Sequence, residues 1–518
     1  MTTPSNPLQV TNITAKCKNL KIGDNSAVSD GRVVGLRIGK DGVLNVNTNE
    51  NWNDDSFTIG HLAEGHGVVI ADDGEINSSI LSVGYNGSGI ITNNGCKINT
   101  PRIRIGLGEG SIGVWVQNGG IITNGISMAF SWSDLCAKIG NGGDGTFIYN
   151  GGTVYPNLWV GWGANSHGKL IVNNPLQVGG DSCRWSSTMY VGNEGAGEVE
   201  AKANVELGWL KIGSKYAKSS YTIYENATNI FMSQASAINI GDYYDNDNVE
   251  HLGNGEFVMR GGALLFQGVP YNAQSTNVFV RRFGGESGII RGWGMVQYNR
   301  NDSQMIQNGQ VIADGEGVDG RRLNLRYLTY VYNTISNGWD GTNGWYAVNK
   351  GVLMYPRLYC NQPVITRSFG DSTNAEPTLV NSVTANVQLK GSSNVTLLGY
   401  LFAPDSSEIY AGLPEEPNGK MIGAWGFNSV YSWNNLGQNM PQSVRFTFRY
   451  DHTKVGKRTW LKLYNYSNGA WNLVKKEEPG EKPVIASEAI TEKMDSTYNL
   501  GQWALFAVQR KMFSLVIR

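Results

Sequence analysis

Four short stretches decide the fold: Leu81-Ser-Val-Gly84, Ile103-Arg-Ile-Gly106, Ala137-Lys-Ile-Gly140 and Leu158-Trp-Val-Gly161. Each puts apolar residues at alternate positions, the period of a strand with one face turned inward, and each closes on a glycine. The same run recurs toward the N-terminus as Leu20-Lys-Ile-Gly23, Leu36-Arg-Ile-Gly39 and Phe57-Thr-Ile-Gly60. Toward the C-terminus it returns as Met189-Tyr-Val-Gly192, Leu210-Lys-Ile-Gly213 and Ile238-Asn-Ile-Gly241. Ten copies make a repeat array.

Working outward from each landmark, a second glycine opens a longer alternating run, as in Gly113-Val-Trp-Val, Gly145-Thr-Phe-Ile-Tyr, Gly168-Lys-Leu-Ile-Val and Gly255-Glu-Phe-Val-Met. A third corner often follows, at Asn118-Gly-Gly, Asn150-Gly-Gly and Arg260-Gly-Gly. Each unit therefore reads as two or three short strands broken where Gly or Asn permits a left-handed backbone. A unit of this size cannot bury its apolar face alone, but copies stacked about 4.8 Å apart build a continuous interior. The expectation is an all-β chain whose first part is a parallel β-solenoid (β-helix), right-handed because crossover connections are strongly biased that way.

The distance from the landmark glycine to the second one alternates: 7 from Gly60 to Gly67, 5 from Gly84 to Gly89, 7 from Gly106 to Gly113, and so on to Ser220. The spacing between units alternates as well, which leaves open whether one coil holds one unit or two. Extra residues in the long units, Ile126–Cys136 with Trp132 and Pro175–Thr188 with Trp185, should leave the solenoid on one side, since insertions at one point of a repeat map to one face.

From about Asn277 the spacing loosens. We read 1–275 as regular solenoid repeats, 276–372 as wider final turns and cap, and 373–518 as an antiparallel β-sandwich. The Pro-marked, turn-rich stretch Ser368–Pro377 supplies the last boundary. Beyond it lie alternating runs such as Val380–Leu389, Ser443–Tyr450, Thr459–Tyr464 and Trp503–Val508. The charged run Lys475–Lys482 reads as an exposed hairpin loop.

Composition agrees. Gly supplies 67 of 518 residues, nearly twice the usual share of about 7%. Charged residues are 16% and the formal net charge is −1, so nucleic-acid binding has no electrostatic footprint. No apolar window is long enough to span a membrane as a helix. The cysteines Cys17, Cys96, Cys136, Cys183 and Cys360 are scattered and form no C-x-x-C pair, so they read as buried free thiols rather than a zinc site or a disulfide framework. The start, Met1–Asn6, lacks the pattern of a secretion signal.

The repeat around Val83–Gly95 and Ile139–Gly152 resembles the passenger repeats of bacterial autotransporter-associated and PEP-CTERM-type surface proteins. The stretches Phe448–Asp451, Leu461–Trp471 and Leu500–Val508 are similar to a C-terminal sandwich in the same kind of protein. The resemblance implies an extracellular or cell-surface bacterial protein and surface architecture rather than chemistry.

Several clusters offer sites. Asp242, Asp245 and Asp247 could gather the oxygen ligands that Ca²⁺ needs, set against a plain polar loop; Asp314, Glu316 and Asp319 form a second such cluster. His61, Glu64 and His66 resemble a metal trio, but the flanking glycines argue for a solvated corner. Trp132, Trp162 and Trp185 could stack on sugars, whereas Trp159 and Trp209 read as core or as a ladder between coils. A solenoid ends in unpaired strand edges. The expected head-to-tail joint therefore uses Thr2, Leu8, Val10 and Ile13 at one end and Phe513 and Val516 at the other. The function that follows is a non-enzymatic surface protein that self-assembles (filament, sheath or surface layer) or adheres, its partners being further copies of itself and cell-surface polysaccharide. The alternative is a carbohydrate-active β-helix enzyme, a polysaccharide lyase or glycoside hydrolase, or a sugar-binding appendage.

Overall fold

The computed structural model describes residues 7–23, 34–47, 56–123, 136–179, 187–231, 238–244, 250–266, 276–280, 282–283 and 286–298. Further on it describes 304–307, 309–325, 330–332, 345–355, 358–360, 362, 364–369, 383–389, 395–416, 419–430, 441–450, 455, 459–467, 469–477, 484–489 and 499–509. None of these is helical. The chain divides into two compact units, Met1–Ile289 and Ile290–Arg518.

The first unit is β-solenoid-like, with three strands per coil and three faces. On one face lie Leu20–Ile22, Phe57–Ile59, Ile80–Val83, Arg102–Ile105, Cys136–Ile139, Asn157–Val160, Thr188–Val191, Trp209–Ile212, Ile238–Ile240 and Thr276–Val280, each parallel to the next. We call this the landmark face. Because consecutive landmarks pair directly, one repeat unit is one coil, which settles what the spacing left open. A long face carries the runs opened by the second glycine, from Leu8–Val10 and Val34–Ile38 through Ile112–Gln117 to Gly255–Phe266. A short face between them begins with Thr14–Cys17, Val43–Val46 and Glu75–Ser78.

One landmark was misassigned. Leu36-Arg-Ile-Gly39 lies on the long face, where Val34–Ile38 pairs with Leu8–Val10 and His66–Ala71. Its letters match the pattern, but its turn is made differently, with Asp41 rather than Gly39 in the left-handed region (φ 55°). The 7/5 alternation also ends one residue early, since Ser219, not Ser220, continues the glycine column by pairing with Gly255.

The glycine columns answer to backbone crowding. Gly106 has φ +68°, and a Cβ there would lie 2.3 Å from the carbonyl oxygen of Asp144 on the neighbouring coil; a Cβ on Gly113 would lie 2.3 Å from that of Val83. No L side chain fits at either position. The alternation of 7 and 5 is absorbed in the loop at this corner, while Gly67, Gly89, Gly113, Gly145, Gly168 and Gly197 stay in register.

Inside, the alternate residues of the long face stack as a column, Val69, Ile91, Trp115, Phe147, Leu170, Val199, Tyr221 and Phe257, all fully buried. Each such side chain contributes about 1.5–3 kcal/mol by leaving water. Polar pairs interrupt the core: Asn93 donates to Gln117 (3.2 Å), which also accepts from the Trp115 indole (2.9 Å), and Asn229 donates to the Tyr221 hydroxyl (2.6 Å). Outside, at the corner between long and short faces, an amide ladder climbs the coils. Asn173 donates to Asn150, Asn150 to Asn118, Asn118 to Asn94 and Asn94 to Asp72, each at 2.8 Å.

Of the extra residues expected to leave on one side, 126–135 and 180–186 lie outside the described residues, whereas Leu176–Gln177 is a strand paired with Val205–Leu207. The stretch from 124 to 135 joins Ile121–Thr123 of the short face to Cys136–Ile139 of the landmark face. The stretch from 180 to 186 precedes Thr188–Val191 of the landmark face in the same way.

In the second unit parallel pairing continues in Gln310–Asp314 with Trp345–Asn349 and in Arg321–Asn324 with Gly351–Met354. The pattern then turns antiparallel. Val395–Phe402 pairs with Gly351–Met354 and with Gly419–Val430, and Asn499–Gln509, Thr459–Ser467 and Ala470–Glu477 follow in order. A separate antiparallel sheet holds Val364–Phe369, Val383–Leu389, Pro441–Arg449 and Val484–Ala489. Aromatic rings connect the two sheets, Phe427 with Phe446 at 4.2 Å and Trp425 with Phe448 at 4.9 Å. The charged run expected as a loop begins inside a strand, since Ala470–Glu477 extends through Glu477.

Candidate functional site

The middle letters of the landmarks alternate with the residues that fill the interior, and on the landmark face they form one column in register: Ser82, Arg104, Lys138, Trp159, Tyr190, Lys211 and Asn239. The inward neighbours, such as Leu158, Val160, Met189 and Val191, already fill the interior. Trp159 alternates with them, is only 7% exposed, and serves as the expected ladder between coils. Its ring stacks on Trp162 from the following loop (4.0 Å between centroids) and meets Tyr190 edge-on at 5.5 Å. The Lys138 ammonium lies 4.9 Å from the Trp159 ring and 4.8 Å from Trp162, and Lys211 lies 5.4 Å from Tyr190.

The result is an aromatic cluster between two cations, each contact worth about 0.5–2 kcal/mol. Burial raises the pKa of the Tyr190 hydroxyl, so it stays protonated at neutral pH. The Trp159 indole nitrogen is buried with no hydrogen-bond partner among the described residues. Of the expected sugar-stacking residues, Trp162 sits in this cluster, while Trp132 and Trp185 lie outside the described residues. Lys138, Tyr190 and Lys211 were missed, though their signal was present: they are the middle letters of the landmarks.

On the outer long face Lys169 bridges Glu198 (3.1 Å) and Glu200 (2.6 Å), and Lys202 holds Glu200 at 2.9 Å. Burial pushes the Glu200 carboxyl up, but the two lysines outweigh it and hold it below its ordinary value; the Glu200 hydrogen bond raises Lys169. Both groups keep their charges at neutral pH, which suits neither for general acid–base work near pH 7.

The metal candidates fare as follows. Asp242 begins the strand Asp242–Tyr244, paired with Glu250–Leu252, while Asp245 and Asp247 lie outside the described residues. Asp314 accepts from the Glu316 amide (3.0 Å) and from Asn349 (3.1 Å), and Asp319 from the amides of Gly320 (2.9 Å) and Ser407 (2.7 Å). That second cluster is spent on closing loops. His61 stacks on Tyr85 at 4.9 Å. Among the described residues no three metal-ligating side chains converge.

Of the expected joint, Leu8 is 66% and Ile13 54% exposed, whereas Val10 is buried. Thr2, Phe513 and Val516 lie outside the described residues. The three first-coil strands, Leu8–Val10, Thr14–Cys17 and Leu20–Ile22, are each paired on one side only among the described residues. Cys96, Cys136 and Cys360 are buried free thiols, and Cys17 is a partly exposed one; burial pushes Cys96 up to about 12.

No family model, curated protein or solved structure matches the chain.

Proposed function

We propose that the protein is a non-enzymatic structural component of a bacterial surface, a right-handed solenoid followed by a β-sandwich, that assembles head to tail through its first coil. The observation that supports this reading is the edge of that coil, whose three strands are paired on one side only among the described residues, with Leu8 and Ile13 exposed. Unpaired strand edges with apolar side chains template pairing with another chain. Two different ends meeting make a heterologous contact, which propagates. The resemblance to autotransporter-associated and PEP-CTERM-type proteins supports an extracellular setting.

A second reading, binding of cell-surface polysaccharide, rests on the Lys138–Trp159–Trp162–Tyr190–Lys211 cluster. Rigid aromatic surfaces flanked by cations suit sugar rings.

Light scattering and negative-stain microscopy test assembly. The intact chain should form large particles, and both the chain lacking 2–15 and the full-length Leu8→Lys/Ile13→Lys variant should be monomeric. An intact chain that remains monomeric at high concentration overturns the reading.

A further inference from the structure

The stretch Ala403-Pro-Asp-Ser-Ser-Glu-Ile-Tyr-Ala-Gly-Leu-Pro-Glu-Glu416 contains four carboxylates and no base. It forms no strand, and its own backbone bonds are two short turns, Ser406 N to Ala403 O and Ile409 N to Ser406 O. Yet it lies across the second unit, fastened at both ends to cations. Arg322 donates to both oxygens of Glu408, at 2.9 Å each, and Lys350 pairs with Asp405. At the other end Lys462 donates to both oxygens of Glu416, at 2.8 and 2.7 Å, and Tyr464 donates its hydroxyl to the same carboxylate.

The middle is held by neutral bonds. The Tyr410 amide donates to Gln502 Oε1 (2.7 Å), Gln502 Nε2 to the Glu408 carbonyl (2.7 Å) and the Trp471 indole to the Tyr410 carbonyl (3.1 Å). Beneath it lies an apolar face made of Tyr464, Trp471, Ala504, Phe506 and Val508, against which Ile409 and Leu413 pack.

We propose that residues 403–416 are an electrostatic latch, which covers this apolar face at neutral pH and lifts from it when its carboxylates are protonated. The fastenings share one chemistry. Among the described residues the charged and titratable groups facing the segment are Asp319, Arg322, Lys350, Lys462, Lys476, Tyr464 and Tyr466, so lowering the pH leaves the cations charged and removes only their partners.

The Ser407 hydrogen bonds hold Asp319 below its ordinary 3.8, and Lys350 holds Asp405 below the same value. Burial raises Glu416, but Lys462 and Tyr464 outweigh it and hold it below 4.5. Carboxyls lowered by folding stabilise the closed form above their ordinary values and lose that contribution as the pH falls through the lowered ones. Release therefore belongs below about pH 4. Salt works in the same direction, since a Debye length of about 3 Å at 1 M screens exposed pairs.

The test is brief chymotrypsin digestion of the full chain at pH 7, with the first cuts located by mass spectrometry. In 1 M NaCl, cutting after Tyr410 or Leu413 should accelerate about tenfold, as expected of a segment that opens locally. In the Asp405→Asn/Glu408→Gln/Glu416→Gln variant it should accelerate at least as much. At pH 3.5 the native chain should bind a hydrophobic dye while its far-ultraviolet sheet signal stays constant. If the variant loses that signal at pH 7, the salt and acid measurements on the native chain decide. Cutting unchanged by salt, or dye binding that appears only together with loss of sheet, overturns the latch.

Discussion

The two units solve the same problem with opposite means. In the first, the strands of the three faces pair with the equivalent strands of the next coil, so contacts join residues one repeat apart: Ile103 with Ala137, Ala137 with Leu158. In the antiparallel part of the second, Thr384 pairs with Thr447 and Lys420 with Ala507, and the core is a knot of aromatic rings rather than a column. Repetition lets a solenoid be stable coil by coil, with nearest-neighbour energetics. An antiparallel assembly of distant strands gains its stability only as a whole.

The largest expected effect separates the two on backbone grounds. Gly106 and Gly469 both have positive φ, but a Cβ at Gly106 meets the Asp144 carbonyl at 2.3 Å and one at Gly469 meets nothing within 4 Å. Gly106→Ala should cost at least ~3 kcal/mol and Gly469→Ala only about 1 kcal/mol, read as shifts in denaturant midpoint. Equal costs would mean that the stacking of coils is not what selects glycine.

Core truncation comes next. Phe147→Ala and Phe427→Ala remove fully or nearly fully buried rings and should each cost about 3–5 kcal/mol. Their reach should differ. Amide exchange should accelerate only in coils next to Phe147 in the first variant, and throughout the antiparallel sheets in the second. Uniform acceleration across the first unit would contradict coil-by-coil stability.

The amide ladder sharpens the comparison further. Asn118 donates to Asn94 and accepts from Asn150, so Asn118→Asp keeps the acceptor, loses the donor and sets a carboxylate against an oxygen. The cost should be about 1 kcal/mol at pH 7, and it should shrink below about pH 4, where the protonated acid donates again. At the foot of the ladder Asp72 only accepts, and it pairs with Arg37 at 2.5 Å, so Asp72→Asn should change the melting temperature little. The smallest effect belongs to Lys169→Met, which breaks a partly exposed network in which Lys202 still holds Glu200, and should cost less than ~1 kcal/mol.

Legibility followed the same division. The coils were readable because a glycine forced by backbone contact recurs at the same point of every turn. Leu36-Arg-Ile-Gly39 carries the same letters on the long face, and nothing in those four letters distinguishes it. The antiparallel strands were visible as alternation, but their partners were not, since nothing local marks that Val383 faces Phe448. The column of middle letters was present in the landmarks as Lys138, Trp159, Tyr190 and Lys211, yet alternation alone draws the eye to the apolar letters beside them. The acidic segment 403–416 showed its charge in the sequence but not its cations, which come from 46 to 86 residues away.

The central claim is that each landmark unit is one coil. Arg104 then neighbours Lys138, and Trp159 lies two coils away. Adjacent coils place Cα atoms about 4.8 Å apart, within the 4.4–6.8 Å range that a disulfide spans, and two coils do not. Under mild oxidation the Arg104→Cys/Lys138→Cys chain should cross-link, and the Arg104→Cys/Trp159→Cys chain should remain reduced, as mapped by mass spectrometry of the tryptic peptides. The reverse result would mean that two units make a turn, and would contradict the account.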